Sequence, residues 1–118
     1  MFIFVRMKTG YELLLPAGLL EYFDVVFVEE TEKSLMLHLD EKNIVPEEHI
    51  GSKVISKGFF LPSDIDDFPV RGKRLILHIR RRRWLNVDTG NPIMRNWELA
   101  MKGTRLTEEF ASFLKGTH

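Results

Sequence analysis

Alternating apolar and polar residues in the first half of the chain predict a β-hairpin. Residues 24–30 are rich in Val and Phe, which favour strands. In residues 34–40 the leucines alternate with Met36 and His38, so the leucines share one face of a strand. A short polar turn at residues 31–33 separates the two runs, and we therefore expect the two strands to pair.

Helical spacing predicts a short N-terminal helix, and a third strand is expected further along the chain. The helix begins near Pro16, since proline is tolerated in the first helical turn, where the backbone nitrogen needs no partner. Leu19 and Phe23 then share one helical face. Residues 53–60 favour a strand in which Gly58 forms a bulge.

The middle of the chain predicts a connection between two halves of different character. Residues 61–72 hold two prolines, a glycine and three aspartates, a composition typical of loops. We interpret this segment as a hinge between an acidic half, 1–60, and a basic half, 73–118. In the basic half, residues 73–84 alternate and predict the longest strand, and a turn leads to a return strand at 93–101.

Residues 104–115 predict the clearest helix of the chain. Thr107 is a suitable N-cap, and Glu108 and Glu109 lie in the first turn, where negative charge is favourable. The whole pattern predicts an α+β fold, composed mostly of antiparallel β hairpins with a short N-terminal helix and a C-terminal helix. A chain of 118 residues that is 44% hydrophobic suits one domain, 1–118, with one core.

Composition narrows the possible functions. The chain has no cysteine, which excludes disulfides and thiolate zinc sites. It has no run of roughly 20 apolar residues, so we expect no membrane span and a cytoplasmic location. Seventeen basic and seventeen acidic residues give a formal net charge of zero. The basic groups nevertheless concentrate after residue 70, which indicates an anionic partner or pairing between the two halves.

The strongest local signal is a run of four arginines, Arg80–Arg83, followed by Trp84. Burying four guanidinium groups is too costly for a small core, so we expect most of them to meet solvent or an anion. Arginine matches phosphate and guanine edges, and a β-ribbon can enter the major groove of DNA. The predicted DNA-binding residues are Lys73, Arg74, Arg80, Arg81, Arg82, Arg83, Trp84, Arg95, Lys102 and Arg105.

Other interpretations of these residues stay open. A basic run is often only a solvated strand edge that prevents aggregation. Trp84 and Trp97 are more typical of core residues than of platforms on which bases stack. A further alternative is a site for a small molecule or nucleotide, formed by Arg80–Arg83 with Asp88-Thr89-Gly90.

Catalytic and metal-binding motifs are not evident. Asp64, Asp66 and Asp67 are close together, but acids in a proline-containing segment are more typical of turns than of metal ligands. The four histidines are scattered, and neither a phosphate loop nor a serine elbow is present. We therefore expect no enzyme activity, no metal and no cofactor.

Residues 66–114 resemble the N-terminal domain of insertion-sequence transposases that carry a zinc ribbon. In that family a short aspartate–apolar–proline sequence is followed by a glycine and a strand, and then by an arginine-rich strand that ends in an aromatic residue. A cysteine-bearing turn, an aromatic return strand and a helix come next. The matching positions are Asp67-Phe68-Pro69, Gly72, Leu75–Ile79, Arg80–Trp84, Asn86–Pro92, Arg95-Asn96-Trp97 and Arg105-Leu106-Thr107 with Phe110.

The subgroup that the chain resembles most is the cysteine-lacking, Aon-type transposase N-terminal region of Bacteroidetes. Residues 41–49 and 55–60 share that resemblance, which extends over residues 11–115. It implies a metal-free, zinc-ribbon-like second half held by packing, with Trp84, Trp97, Leu99 and Leu77 as its core.

The functional implication is recognition of the terminal inverted repeats of a mobile element. Strand cleavage in that family belongs to a DDE-type catalytic domain, which we do not expect in these 118 residues. The alternative is a protein-interaction or dimerisation module, in which the acidic half or the C-terminal helix docks a separately encoded transposase catalytic chain or a second copy.

Overall fold

Strands dominate this computed structural model, which describes residues 4–5, 10–15, 18–100 and 114. The strands are β1 (Phe4–Val5), β2 (Phe23–Glu30), β3 (Ser34–Glu41), β4 (Val54–Phe59), β5 (Ser63–Val70), β6 (Lys73–Arg80), β7 (Arg82–Asn86) and β8 (Pro92–Ile93). The helical segments are short: α1 (Trp97–Ala100) and single 3-10 turns at Tyr11–Leu14, Leu19–Glu21 and Glu47–His49.

The strands form two sheets. The larger has the order β1-β2-β3-β6-β5, and the smaller has the order β4-β7-β8. Neighbouring strands are antiparallel except β3 and β6, which run parallel with Leu37 opposite Leu77. The chain therefore leaves the large sheet after β3, adds β4 to the small sheet, and returns to complete the large sheet with β5 and β6.

One face of the large sheet forms the main core. Successive strand residues point to opposite faces, so the leucines of β3 and β6 line one side, as their alternation predicts. Leu19 of the 3-10 turn, Phe23 of β2 and Trp97 of α1 belong to the same core. Trp97 is fully buried there, with its ring stacked on Phe23 at a centroid distance of 5.2 Å and edge-on to Tyr22.

The small sheet contains an irregularity and a turn that the sequence indicates. Between Ser56 and Phe59 the register of β4 against β7 shifts by one residue, and Gly58 lies there with a φ of +83°. This is the predicted bulge, in a backbone conformation that favours glycine. The turn from β7 to β8 is fixed by Asn86, whose side-chain oxygen accepts hydrogen bonds from the nitrogens of Asp88 and Thr89.

The predicted α+β class is wrong. Of the described residues, 51% lie in strands and 15% are helical, and none of their helices reaches seven residues. The N-terminal helix expected near Pro16 is replaced by the 3-10 turn at Leu19–Glu21. The predicted helix at 104–115 lies outside the described residues, apart from Leu114.

The expected connection at 61–72 is wrong as well. Most of it is strand β5, which ends in a two-residue turn, Arg71-Gly72, before β6. The predicted hinge between halves therefore does not exist, because β5 and β6 are neighbours in one sheet. Asp64 and Asp66 of this segment contact His78 and Arg74 of β6 across the sheet.

The zinc-ribbon-like second half is also overturned. The predicted strand 73–84 divides at Arg81 into β6 and β7, which belong to different sheets. The expected return strand 93–101 is reduced to β8 and α1. Leu99, expected in the packing core, is 55% exposed, whereas Trp84 and Trp97 are fully buried.

Candidate nucleic-acid interface

The four arginines occupy the passage from the large sheet to the small one. Arg80 ends β6, Arg81 lies between the sheets, and Arg82 and Arg83 begin β7. β6 and β7 belong to different sheets, and the four guanidinium groups have three kinds of environment. Arg80 and Arg82 share the ring of Phe59, at 4.1 and 4.6 Å, whereas Arg81 is buried and Arg83 is exposed.

Arg80 is held by a carboxylate of the neighbouring parallel strand. Asp40 lies opposite Arg80 in the register of β3 and β6. The Arg80 Nε donates to Asp40 Oδ1 at 2.6 Å, and the Nη2 donates to the second carboxylate oxygen. This hydrogen-bonded pairing raises the pKa of Arg80. Its guanidinium also stacks 4.1 Å from the ring of Phe59.

Arg81 is buried, with only 7% of its surface exposed. Its Nη1 donates to the carbonyl oxygen of Leu114 at 3.0 Å. Burial lowers the pKa of Arg81, and the nearby charge of Glu41 opposes that effect. This arginine is therefore a structural link between the sheets and the backbone of Leu114.

Glu41 is a fully buried carboxylate that joins both sheets. Its Oε1 accepts from the backbone nitrogen of Arg82 at 2.9 Å, and its Oε2 accepts from Arg95 Nε at 2.9 Å. Burial raises the pKa of Glu41, although Arg95 and Arg82 favour its charged form. Arg95 also lies over the rings of Tyr22 and Trp84, at 4.8 and 5.3 Å.

Most of the other residues predicted to bind DNA instead contact groups of the molecule itself. Lys73 donates to Glu30 at 2.6 Å, and Arg74 makes a paired contact with Asp66 at 2.9 and 3.1 Å. Arg82 donates through Nη1 to Ser56 at 2.8 Å. Trp84 is fully buried. Lys102 and Arg105 lie outside the described residues.

Most arginines of the run are therefore engaged in contacts within the molecule. Three arginines of the run are anchored by the chain's own carboxylate, carbonyl or hydroxyl oxygens. Arg83 is different, because it is exposed and its side chain has no partner among the described residues. Any anion-binding surface at this place must be built around Arg83.

Arg83 lies on the outer face of the small sheet, which we call the ribbon face. Residues of β7 alternate, so Arg83 and Leu85 point away from buried Trp84, and the exposed Val87 directly follows the strand. Ile55 is opposite Leu85 on one side, and Pro92 is opposite Leu85 on the other. The ribbon face comprises Lys53, Ile55, Lys57, Arg83, Leu85, Val87 and Pro92.

The ribbon face combines an apolar centre with cationic ends. Ile55 is 45% exposed and Val87 is 49% exposed. Lys53 lies at one end, where its carbonyl accepts from the nitrogen of Val87 at 2.8 Å. Lys57 lies at the other end, within the bulge opposite Arg83. Like Arg83, both lysines are exposed and have no side-chain partner in the described part of the chain.

Sequence reasoning missed both lysines. They lie in residues 1–60, the half that is interpreted as acidic. The arginine run instead places the predicted DNA-binding residues in the basic half. The signal was present in residues 53–57, where Lys53, Ile55 and Lys57 alternate with Val54 and Ser56 and so share one face. Only the pairing of β4 with β7 places them on the same face as Arg83.

The three clustered aspartates, Asp64, Asp66 and Asp67, lie on β5. Asp64 contacts His78 Nδ1, and Asp66 pairs with Arg74. Within the described residues, no group of three or more His, Cys, Asp or Glu side chains is arranged to hold a metal ion. In the same part of the chain, no helix is long and apolar enough to cross a membrane.

Comparison with protein-family models, with curated proteins and with solved structures finds no match to this chain.

Proposed function

We propose that this chain is the DNA-binding N-terminal region of an insertion-sequence transposase. It recognises the terminal inverted repeats of its element in the bacterial cytoplasm, and strand cleavage is left to a DDE domain outside these 118 residues. The ribbon face is the surface that meets DNA. The support for transposase ancestry is the sequence resemblance, and the support for the surface is its charge and exposure.

The observation that carries the proposal is the grouping of Lys53, Lys57 and Arg83 on one small sheet. All three are exposed, and their side chains lack partners within the described residues. Cations that no carboxylate of the described residues neutralises are free to replace the counterions of a polyanion. By contrast, Arg80 and Arg82 are committed to internal contacts.

The shape of the surface also suits a duplex. Lys57 lies on β4, Arg83 lies on β7 and Lys53 directly precedes β4, so two paired strands carry all three cations. The major groove of B-DNA is about 12 Å wide and admits a two-stranded β-ribbon. The three cations then lie near the phosphates that border the groove.

A matched pair of variants tests this proposal. In Lys57→Ala/Arg83→Ala two cations are removed from the ribbon face, and in Lys33→Ala/Arg71→Ala two exposed cations are removed from the turns of the large sheet. We expect the first variant to bind labelled inverted-repeat duplex more weakly. Its slope of log affinity against log salt should also fall by roughly 0.9 per lost phosphate contact. Fluorescence anisotropy between about 50 and 200 mM salt measures both quantities.

The control variant should keep the wild-type affinity and salt slope. Equal losses in both variants would indicate only a general charge effect and would contradict the assigned surface. A wild-type chain that does not bind the duplex, and instead dimerises in a concentration-dependent way, would contradict DNA binding and favour the protein-interaction module.

A further inference from the structure

We infer that the apolar centre of the ribbon face reads the 5-methyl groups of thymine in the major groove. The inference rests on the proposed function, because it concerns how the same surface distinguishes one DNA sequence from another. It adds a specificity-determining row of side chains to a surface whose cations supply affinity without sequence preference.

The row consists of Ile55, Leu85 and Pro92, one from each strand of the small sheet. Ile55 and Pro92 lie directly opposite Leu85 on its two sides, so the three side chains form a line across the sheet. Ile55 and Pro92 are exposed, and Leu85 is partly exposed. None of these side chains carries a hydrogen-bond donor or acceptor.

An apolar row has only one partner among the base edges of the major groove. Guanine, cytosine and adenine present hydrogen-bonding groups there, whereas thymine presents a methyl group beside its carbonyl oxygen. Covering a polar edge with Ile55 or Leu85 would remove its hydration without replacing it. Covering a methyl group instead removes apolar surface from water.

The cations at both ends of the row favour a duplex over other occupants. A second copy placed face to face would bring Lys53, Lys57 and Arg83 against identical charges, which is unfavourable. Single strands are usually held by stacking on aromatic rings, and the ribbon face has none. The deep, narrow major groove of duplex RNA does not admit side chains, and uracil lacks the methyl group.

Replacing thymine by deoxyuridine tests the inference on the intact chain. The two inverted-repeat duplexes are identical except that every thymine methyl group is absent from one of them. We expect the deoxyuridine duplex to bind about fourfold more weakly for each methyl group that the row covers. Its salt slope should be unchanged, because the phosphate contacts are the same.

Two variants link the effect to the row. Ile55→Ala should bind the thymine duplex more weakly and should lose part of the difference between the two duplexes. Lys57→Ala/Arg83→Ala should lose affinity for both duplexes equally and keep their ratio. Circular dichroism of each variant confirms that the fold is retained.

The outcomes separate the inference from the function on which it rests. Salt-dependent binding of equal strength to both duplexes overturns methyl readout and leaves DNA binding in place. The same ratio in Ile55→Ala as in the wild type also overturns the assignment to this row. Failure to bind either duplex overturns both proposals.

Discussion

Glu41 illustrates how a single buried carboxylate organises the basic residues around it. The alternation that buries Leu35, Leu37 and Leu39 continues to Glu41 and turns it inward. There it accepts hydrogen bonds from Arg95 and from the backbone of Arg82. Arg95 is itself only 7% exposed, so the carboxylate and the guanidinium compensate each other's loss of hydration.

Removing one partner of this pair should be far more damaging than removing an exposed carboxylate. We expect Glu41→Ala to lower the free energy of unfolding by about 3–5 kcal/mol, because Arg95 remains buried without its counter-charge. The matched control is Asp66→Ala, which breaks the solvent-exposed pair with Arg74 and should cost less than about 1 kcal/mol. Urea unfolding at neutral pH measures both, and similar losses in the two variants would contradict the structural role of Glu41.

At the scale of elements, the β5–β6 hairpin depends on a turn in an unfavourable backbone conformation. Its two turn residues, Arg71 and Gly72, have φ angles of +49° and +79°. Two consecutive positive φ values are typical of the type I′ turn, which favours Asn-Gly. Arginine is a poor residue for the first position, because its Cβ crowds the backbone there.

Arg71→Asn should therefore stabilise the protein by about 1 kcal/mol, since asparagine tolerates the left-handed region. Arg71→Ala is the control, because it removes the same charge but keeps the backbone strain. We expect a higher midpoint of thermal unfolding for Arg71→Asn and no comparable increase for Arg71→Ala. An equal increase in both would indicate that the charge of Arg71 matters, rather than its conformation.

The same hairpin marks the limit of what the sequence predicts. The alternation of Leu35–Leu39 and of Leu75–Ile79 correctly predicts their buried faces, because alternation is a local property of a strand. Residues 61–72 are rich in turn-forming types, and that signal outweighed the alternation of Asp64, Ile65 and Asp66. Those aspartates are accommodated because they meet His78 and Arg74 across the sheet. Pro69 lies on β5, an edge strand of the large sheet, where its lack of a backbone N–H donor is tolerated.

The candidate site depends on long-range pairing that local patterns do not contain. Arg83 was predicted from the arginine run alone. Lys53 and Lys57 were not, because only the pairing of β4 with β7 places them on the same face. Conversely, Asp40 pairs with Arg80 because β3 and β6 run parallel in a register that places the two residues opposite each other.

At the scale of the whole molecule, the two sheets share one junction. Glu41 ends β3 in the large sheet, and its partner Arg82 begins β7 in the small sheet. The carbonyl of Arg81 accepts from the nitrogen of Phe60 at 2.9 Å, which joins the connection between β4 and β5 to the same point. The sheets therefore stabilise each other and should unfold together.

The two tryptophans allow this cooperativity to be measured. Trp84 packs in the small sheet and Trp97 in the core of the large one, and both are fully buried. In Trp97→Phe the remaining fluorescence reports the small sheet, and in Trp84→Phe it reports the large sheet. Within each variant we expect the fluorescence transition in urea to coincide with the far-UV circular dichroism transition. A fluorescence transition of Trp84 at lower urea would show that the small sheet unfolds independently.

The parallel pairing of β3 with β6 has a consequence for synthesis on the ribosome. Among the described residues, those that pair with the inner edge of β3 are 74–80, which are translated some forty residues after it. Until they emerge, the nascent hairpin of β2 and β3 exposes a row of unpaired backbone groups next to a bare leucine face. Translational pausing after β3 has emerged from the ribosome but before β6 has emerged would prolong that vulnerable period and increase aggregation of the newborn chain, whereas pausing after β6 has emerged would not.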